Sequence, residues 1–223
     1  MKRTYALALV FISLCATNFV TAQCNGRYQA DIYPTVDVTS NIQYGSNIDL
    51  NMNNVNLMMD IYEPQGDTAS QRPVVIYAHG GSFIGGSKTD ADVVYFCTEL
   101  AKKGYVCASI SYRLAGRAFD LLAEETTVKV VFNAIQDGKA AIRFFRQDAA
   151  TSNTYKIDTN QIFIGGTSAG GILGINLTYM DDLNKLTPQW QTWANQIGGL
   201  EGNSGNPGYC SRSNGTFGMA GAL

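Results

Sequence analysis

A serine flanked by small residues is the best-placed nucleophile in this chain. Ser168 lies in the segment GTSAG, residues 166–170, which matches the pattern G-x-S-x-G. The apolar run 162–164 precedes it, and a helical pattern follows. In such a strand–turn–helix context a sharp turn exposes the serine hydroxyl, and glycines let that turn close. The pattern therefore predicts acyl-transfer chemistry at Ser168. The alternative is a glycine-rich connection without chemistry.

A second glycine motif could supply the electrostatic half of the same chemistry. The segment HGGSF, residues 79–83, follows the apolar run 74–78. Backbone N–H groups stabilise an oxyanion well because they are already fixed in place. We expect those of Gly80 and Gly81 to join that of Ala169, the residue after the serine.

A serine nucleophile needs a base, and this chain contains one histidine, His79. It precedes Ser168 and belongs to the glycine motif. We therefore expect His79 to shape that loop rather than to act as the base. Phe83, four residues later, either lines an acyl pocket or packs in the core.

Composition limits the class of protein. The 223 residues suffice for one large domain, and a hydrophobic content of 45% provides a core. A net charge of −2 argues against nucleic acid or an anionic membrane as the main partner.

The N-terminus has the features of a secretory signal peptide. Lys2 and Arg3 precede an apolar stretch, and small residues at 20 and 22 suit cleavage before Gln23. Polar residues interrupt the run, so a transmembrane anchor is disfavoured. The prediction is a signal peptide at 1–22 and a single domain at 23–223, secreted or periplasmic, with no membrane partner after signal removal.

Four cysteines follow the signal: Cys24, Cys97, Cys107 and Cys210. A helix and its neighbouring element pack too far apart for a bridge, so we expect Cys97 and Cys107 to be buried thiols. A disulfide between Cys24 and Cys210 stays open as an alternative.

The elements needed to position these residues follow from hydrophobic periodicity. Two N-terminal strands form an antiparallel hairpin, and in the second Leu57, Met59 and Ile61 face one way, as in a half-buried strand. Buried strands then alternate with helices, which implies a mostly parallel sheet covered on both faces. The predicted strands are 35–46, 54–64, 73–81, 105–114, 161–166 and 215–223; the helices are 90–103, 124–148 and 169–183; residues 186–209 are loop-rich.

At these motifs the chain resembles the α/β-hydrolase superfamily, in its secreted carboxylesterase and feruloyl-esterase-like branch of the hormone-sensitive-lipase type. The matching segments are HGGSFIGGSK, GYVCASISYRL, QDGKAAIRFFR and GGTSAGG, in that order. The resemblance implies Ser168 as nucleophile with the oxyanion donors given above, and no metal or organic cofactor. It also gives Arg113 and Asp137 a scaffold role, either as an ion pair or as separate surface charges.

One departure from that family stands out. In the α/β-hydrolase fold the acid and the histidine follow the serine, and no histidine follows Ser168. Asp181, Asp182 and Glu201 do not fit the position of the acid. The expectation is an N-terminal portion of the fold, incomplete at its C-terminus, with the acid and the base encoded beyond Leu223.

The predicted function is hydrolysis of a small-molecule or carbohydrate-linked carboxylic ester. Two alternatives stay open: a non-catalytic binding relative, and a secreted serine peptidase of the same fold. Neither the acyl and alcohol specificity nor the oligomeric state follows from the sequence.

Overall fold

A computed structural model describes residues 26–221 of the chain. The predicted signal peptide 1–22, its cleavage site and Cys24 lie outside the described residues. The strands are β1 Val36–Ile48, β2 Asn54–Pro64, β3 Arg72–Ala78, β4 Val106–Ile110, β5 Ile157–Thr167 and β6 Gly215–Met219. The helices are α1 Ala91–Lys102, α2 Glu124–Ala150, α3 Ala169–Tyr179 and α4 Pro188–Gln196, with short 3-10 helices at Ala118–Leu122 and Leu183–Lys185.

The six strands form one mixed sheet in the order β1-β2-β4-β3-β5-β6. The hairpin β1–β2 and the pair β2–β4 are antiparallel, whereas β3 pairs in parallel with β4 and β5, and β5 with β6. This confirms the predicted α/β architecture with its N-terminal antiparallel hairpin. Within the described residues, β1 and β6 form the two edges of the sheet.

Helices cover both faces of the sheet, which explains why β3 is buried at every residue and apolar after Arg72. On one face, Val75 and Tyr77 pack against α1. On the other, Val74 and Ile76 belong to the main core with α2 and α3. Burial of both faces is the main stabilising contribution to this layered fold.

Strand β2 corrects the prediction of a half-buried strand. Leu57, Met59 and Ile61 are fully buried as expected, but Asp60 and Tyr62 on the opposite side are buried too. Helix α1 covers that side, because Tyr62 packs in the same cluster as residues of α1. Alternation along the strand gave no sign of this second layer.

Two further predictions were wrong in detail. Helix α3 ends at Tyr179, four residues before the predicted end, and the loop-rich stretch 186–209 contains α4. The start of α4 has clear sequence signals: the Thr187 side chain accepts a hydrogen bond from the Trp190 N–H, and a proline follows at the first helical position. Ala194 packs this helix against α2.

The thiol predictions for Cys97 and Cys107 are confirmed, because both are free and buried. Burial raises the pKa of the Cys97 thiol well above its ordinary value. Cys210 is exposed. Its pairing with Cys24 stays a prediction, because Cys24 lies outside the described residues. None of the helices in 26–221 is both long and apolar enough to cross a bilayer.

The topology brings the two glycine motifs together. Strands β3 and β5 are parallel neighbours, with Ala78 opposite Gly166. Their carboxyl ends therefore deliver the segment 79–83 and Ser168 to the same edge of the sheet, which is where ligands bind in open α/β sheets.

Candidate active site

Ser168 occupies a strained turn between β5 and α3. Its backbone angles are φ 51° and ψ −113°, a region that residues with a side chain rarely adopt. Such strain persists only where the surroundings hold it and is concentrated at functional sites. The Ser168 N–H donates to the Met219 carbonyl at 2.8 Å, so β6 helps to hold the turn.

The flanking glycines are required by close backbone contact. A Cβ added to Gly166 would lie 1.9 Å from the Ala78 carbonyl oxygen, and one added to Gly170 would lie 2.0 Å from the same atom. No other residue fits at either position without moving the backbone of β3. The G-x-S-x-G spacing is thus fixed by packing of the turn onto Ala78.

The HGGSF loop lies directly against the serine turn. A Cβ on Gly80 would be 3.2 Å from the Thr167 carbonyl oxygen and 3.7 Å from the Ser168 Cβ. The two motifs, 88 positions apart by the numbering of Gly80 and Ser168, therefore form one site. This is the juxtaposition that acyl transfer requires: a nucleophile beside fixed backbone donors.

The three predicted oxyanion donors lie at the ends of β3 and β5. Within residues 26–221, the turn and loop hydrogen bonds between backbone groups include none donated by the N–H of Gly80 or Gly81. Ala169 is the first residue of α3, where the N–H groups have no partner in the helix and the helix dipole favours negative charge. Their assignment as an oxyanion hole stays a prediction.

His79 is buried inside the loop, with 1% of its surface exposed. Its Nδ1 lies 2.7 Å from the Gly80 carbonyl oxygen, which can only accept, so Nδ1 carries the proton. The ring stacks on Tyr112 at 4.3 Å, and the Tyr112 hydroxyl donates to the His79 carbonyl at 2.8 Å. Burial lowers the pKa of His79 below its ordinary value, which favours the neutral ring. The ring is therefore engaged in holding the loop.

The loop closes in a tight turn after the glycines. The N–H groups of Ile84 and Gly85 both donate to the Gly81 carbonyl, at 2.9 and 3.1 Å. Gly81 has φ 110°, and Ser82 and Phe83 have φ 55° and 60°. Three consecutive residues in the left-handed region give the loop its sharp return.

Phe83 lies in the core at 7% exposure, edge-on to Tyr112 with ring centres 6.1 Å apart. Its carbonyl accepts from the Ala115 N–H at 2.8 Å, which ties the loop to the segment after β4. The structure thus favours the core alternative, and substrate contact by Phe83 stays a prediction.

Arg113 and Asp137 form a buried ion pair, so the alternative of separate surface charges is wrong. Their side chains are 2% and 0% exposed, and Nη2 lies 2.8 Å from Oδ1. The Asp137 carboxylate also accepts from the Arg113 backbone N–H and from the Ser204 hydroxyl. Ser204 was missed from the sequence, because a lone serine in a loop carries no sign of such a partner.

The three acidic residues after Ser168 have other partners. Asp181 pairs with Lys185, and the Asp182 side chain accepts from the Asn184 N–H. Glu201 pairs with Lys139 and Arg143 of α2, at 2.5 and 3.2 Å. Across residues 26–221, the structure contains no group of three histidine, cysteine or acidic residues arranged to hold a metal ion.

Comparison with known proteins identifies the family of this chain. The BD-FAE family profile matches residues 59–198, which include both glycine motifs. The chain is 32% identical over 129 residues to Carboxylesterase 20 of Arabidopsis thaliana, covering 56% of the chain and 36% of that protein. It is 30% identical over 185 residues to Neutral cholesterol ester hydrolase 1 of Rattus norvegicus, covering 79% and 39%. The chain thus spans well under two thirds of the curated relatives that it matches.

Solved structures show the same fold. A thermophilic esterase of Thermogutta terrifontis superposes with a TM-score of 0.57 at 23% identity, over 85% of this chain and 54% of that one. The profile match shows the family, and the superposition shows the fold. The chain therefore belongs to the BD-FAE family and has the α/β-hydrolase fold.

Proposed function

We propose that this chain forms the nucleophile half of a secreted serine hydrolase that cleaves small-molecule or carbohydrate-linked carboxylic esters. One observation carries the proposal: Ser168 is held in a strained turn with Gly80 packed beside its Cβ. The names of the relatives, carboxylesterase and cholesterol ester hydrolase, support ester chemistry.

The proposed reaction has two steps. The Ser168 hydroxyl oxygen attacks the ester carbonyl carbon while a base removes its proton, and the oxyanion forms against the N–H groups of Gly80, Gly81 and Ala169. The alcohol then leaves with that proton. Water attacks the acyl-serine next and releases the carboxylic acid.

We propose that the base and its acid partner come from sequence beyond Leu223. No histidine follows Ser168, and His79 is buried with Nδ1 committed to Gly80. A protein extended by about 60–120 residues, the remainder of an average domain, should contain an Asp or Glu and then a His. Expression of 23–223 beside the extended form, with a short-chain ester assay, tests this. Equal rates would mean that the base already lies within this chain.

A fluorophosphonate tests the nucleophile directly. The extended protein is treated with the reagent, and mass spectrometry locates the adduct. We expect Ser168 to carry it, and Ser168→Ala to remain unlabelled. An adduct at Ser82, Ser109 or Ser111 with Ser168 unmodified would contradict the assignment.

A non-catalytic binding relative is the second candidate. It predicts an extended coding sequence that still lacks the acid and the histidine, and no phosphonylation. The peptidase alternative predicts faster turnover of a dipeptide anilide than of a p-nitrophenyl ester by the extended protein.

We propose secretion from the segment 1–22. The support is its charged start, apolar run and small residues before Gln23. N-terminal sequencing of protein recovered from the medium or periplasm should begin at Gln23. Retention of residue 1 in that fraction would contradict the proposal.

A further inference from the structure

A buried ion pair anchors residues 84–88, which form the return limb of the HGGSF loop. Lys88 Nζ lies 2.6 Å from Asp60 Oδ1, and the two residues are 8% and 4% exposed. Lys88 follows the glycine turn, and Asp60 lies on β2, so the pair joins the loop to the sheet. The same carboxylate oxygen accepts from the Asn41 N–H at 2.7 Å, which ties Asp60 to β1 as well.

A gain in folding stability is a weak explanation for burying this ion pair. Taking both charges out of water costs several kcal/mol, and a well-packed apolar pair often serves as well or better. What the pair provides is a fixed geometry, because the buried Lys88 ammonium is held against the Asp60 carboxylate, which the Asn41 N–H holds in turn. The position of Lys88 in turn affects backbone atoms near it in the chain.

Those atoms lie two residues upstream of Lys88, at Gly86. A Cβ on Gly86 would be 2.2 Å from His79 Nδ1 and 2.4 Å from the Gly80 carbonyl oxygen. The Gly86 backbone is thus packed onto the hydrogen bond between His79 and Gly80. A shift of Lys88 would move the surface against which that hydrogen bond rests.

That hydrogen bond sets the direction of an oxyanion donor. The Gly80 carbonyl and the Gly81 N–H belong to one planar trans peptide unit, so they point in opposite directions. When His79 Nδ1 holds the Gly80 oxygen at 2.7 Å, the Gly81 N–H is aimed away from it. The orientation of Gly81 N–H therefore depends on Gly86 keeping its place.

We propose that Lys88, through its ion pair with Asp60, is a positioning residue for the oxyanion loop: it fixes Gly86 against the His79–Gly80 hydrogen bond and so aims the Gly81 N–H. The inference rests on the proposed ester hydrolysis. Lys88 does not touch the reacting atoms. It acts on the rate of the chemical step and not on substrate affinity.

The kinetic test uses the extended enzyme and three variants. Lys88→Met breaks the pair, and Asp60→Asn with Lys88→Met removes both charges and keeps an acceptor for the Asn41 N–H. Lys129→Met is the matched control, because it breaks an exposed pair with Glu125 on α2. A misplacement of about 1 Å can cost on the order of 10²-fold in rate, so we expect kcat to fall by about 10- to 100-fold in both Lys88 variants.

The pattern of the change separates positioning from a merely structural role. KM should stay within about threefold, and the rate of phosphonylation should fall in parallel with kcat. A folded double variant with an unchanged kcat would overturn the proposal, as would a change in KM alone. If neither Lys88 variant folded, the pair would be structural and the proposal wrong.

A spectroscopic measurement tests the positioning role of Lys88 even if the proposed ester hydrolysis is wrong. The chain has one histidine, so its buried imidazole Nδ1–H gives a single NMR signal. We expect that signal to shift or broaden in Lys88→Met and to be unchanged in Lys129→Met. An inactive, unlabelled wild-type protein would refute the proposed function, whereas an unaltered Nδ1–H signal in Lys88→Met would refute the positioning role.

Discussion

A Cβ on Gly166 would lie 1.9 Å from the carbonyl oxygen of Ala78. The two residues face each other across the parallel pair β3–β5. The contact is between backbones, so neither side has a flexible side chain that can move aside. It makes the Ser168 turn and the start of the 79–83 loop parts of one rigid unit.

The first prediction follows from this contact. Gly166→Ala should destabilise the protein by at least about 3 kcal/mol, because β3 or β5 must shift to admit the methyl group. Gly85→Ala is the matched control, since a Cβ there meets nothing within 4 Å. Urea denaturation measures both free energies of unfolding. Equal values for the two variants would contradict the packing argument.

The sequence indicated which two segments meet at this edge of the sheet, because the constraints on those segments are local. Glycine spacing around Ser168 reflects backbone contact, and the motif 79–83 follows a recognisable buried strand. The return limb was not predicted, because the pairing of Lys88 with Asp60 depends on the register of β2 beside β4. Ser204, 67 positions from Asp137, was missed for the same reason. Such contacts are set by topology and leave no periodic pattern.

The second prediction concerns strain at Ser168. Its backbone angles, φ 51° and ψ −113°, cost about 1–3 kcal/mol for a residue with a side chain, and glycine avoids most of this cost. Ser168→Gly should therefore be more stable than Ser168→Ala by about 1 kcal/mol, after allowing for the greater freedom of glycine in the unfolded chain. Thermal or urea unfolding compares the two. A less stable glycine variant would show that the turn is unstrained.

The third prediction concerns the buried pair Arg113–Asp137. Arg113→Met leaves an unpaired carboxylate in the core and should cost about 3–5 kcal/mol. Lys129→Met, which breaks an exposed pair with Glu125, should stay within about 0.5 kcal/mol of the wild type. Chemical denaturation of both proteins gives the comparison. A cost below about 1 kcal/mol for Arg113→Met would mean that water reaches Asp137.

The fourth prediction concerns the proposed oxyanion donor loop at Gly80. A Cβ on Gly80 would lie 3.2 Å from the Thr167 carbonyl oxygen, which is tight, so the loop must move by a few tenths of an ångström. We expect Gly80→Ala to lower kcat of the extended enzyme by about 10²-fold, with a stability cost of about 1 kcal/mol. Ester kinetics and urea denaturation on the same preparation separate the two effects. An unchanged kcat in the folded variant would remove this loop from the mechanism.

The last prediction is a pH dependence that arises from His79. Burial depresses its pKa in the folded protein below the ordinary 6.5. Between the folded-state pKa and 6.5, the unfolded chain binds more protons than the folded one, so the free energy of unfolding rises with pH across that window. This contribution is complete above 6.5 and is lost as pH falls toward the folded-state pKa. The pKa of Asp67, lowered to about 2 by Arg27 and Tyr33, lies below the window, so that carboxylate stays ionised in the folded state.

Urea denaturation between about pH 5 and pH 7.5 should show wild-type stability increasing with pH, and His79→Asn should lose most of that increase. Because the chain has one histidine, the difference between the two curves belongs to His79 alone. Parallel curves would mean that His79 titrates freely in the folded state, and the ring would then be accessible enough to reconsider as a base for Ser168.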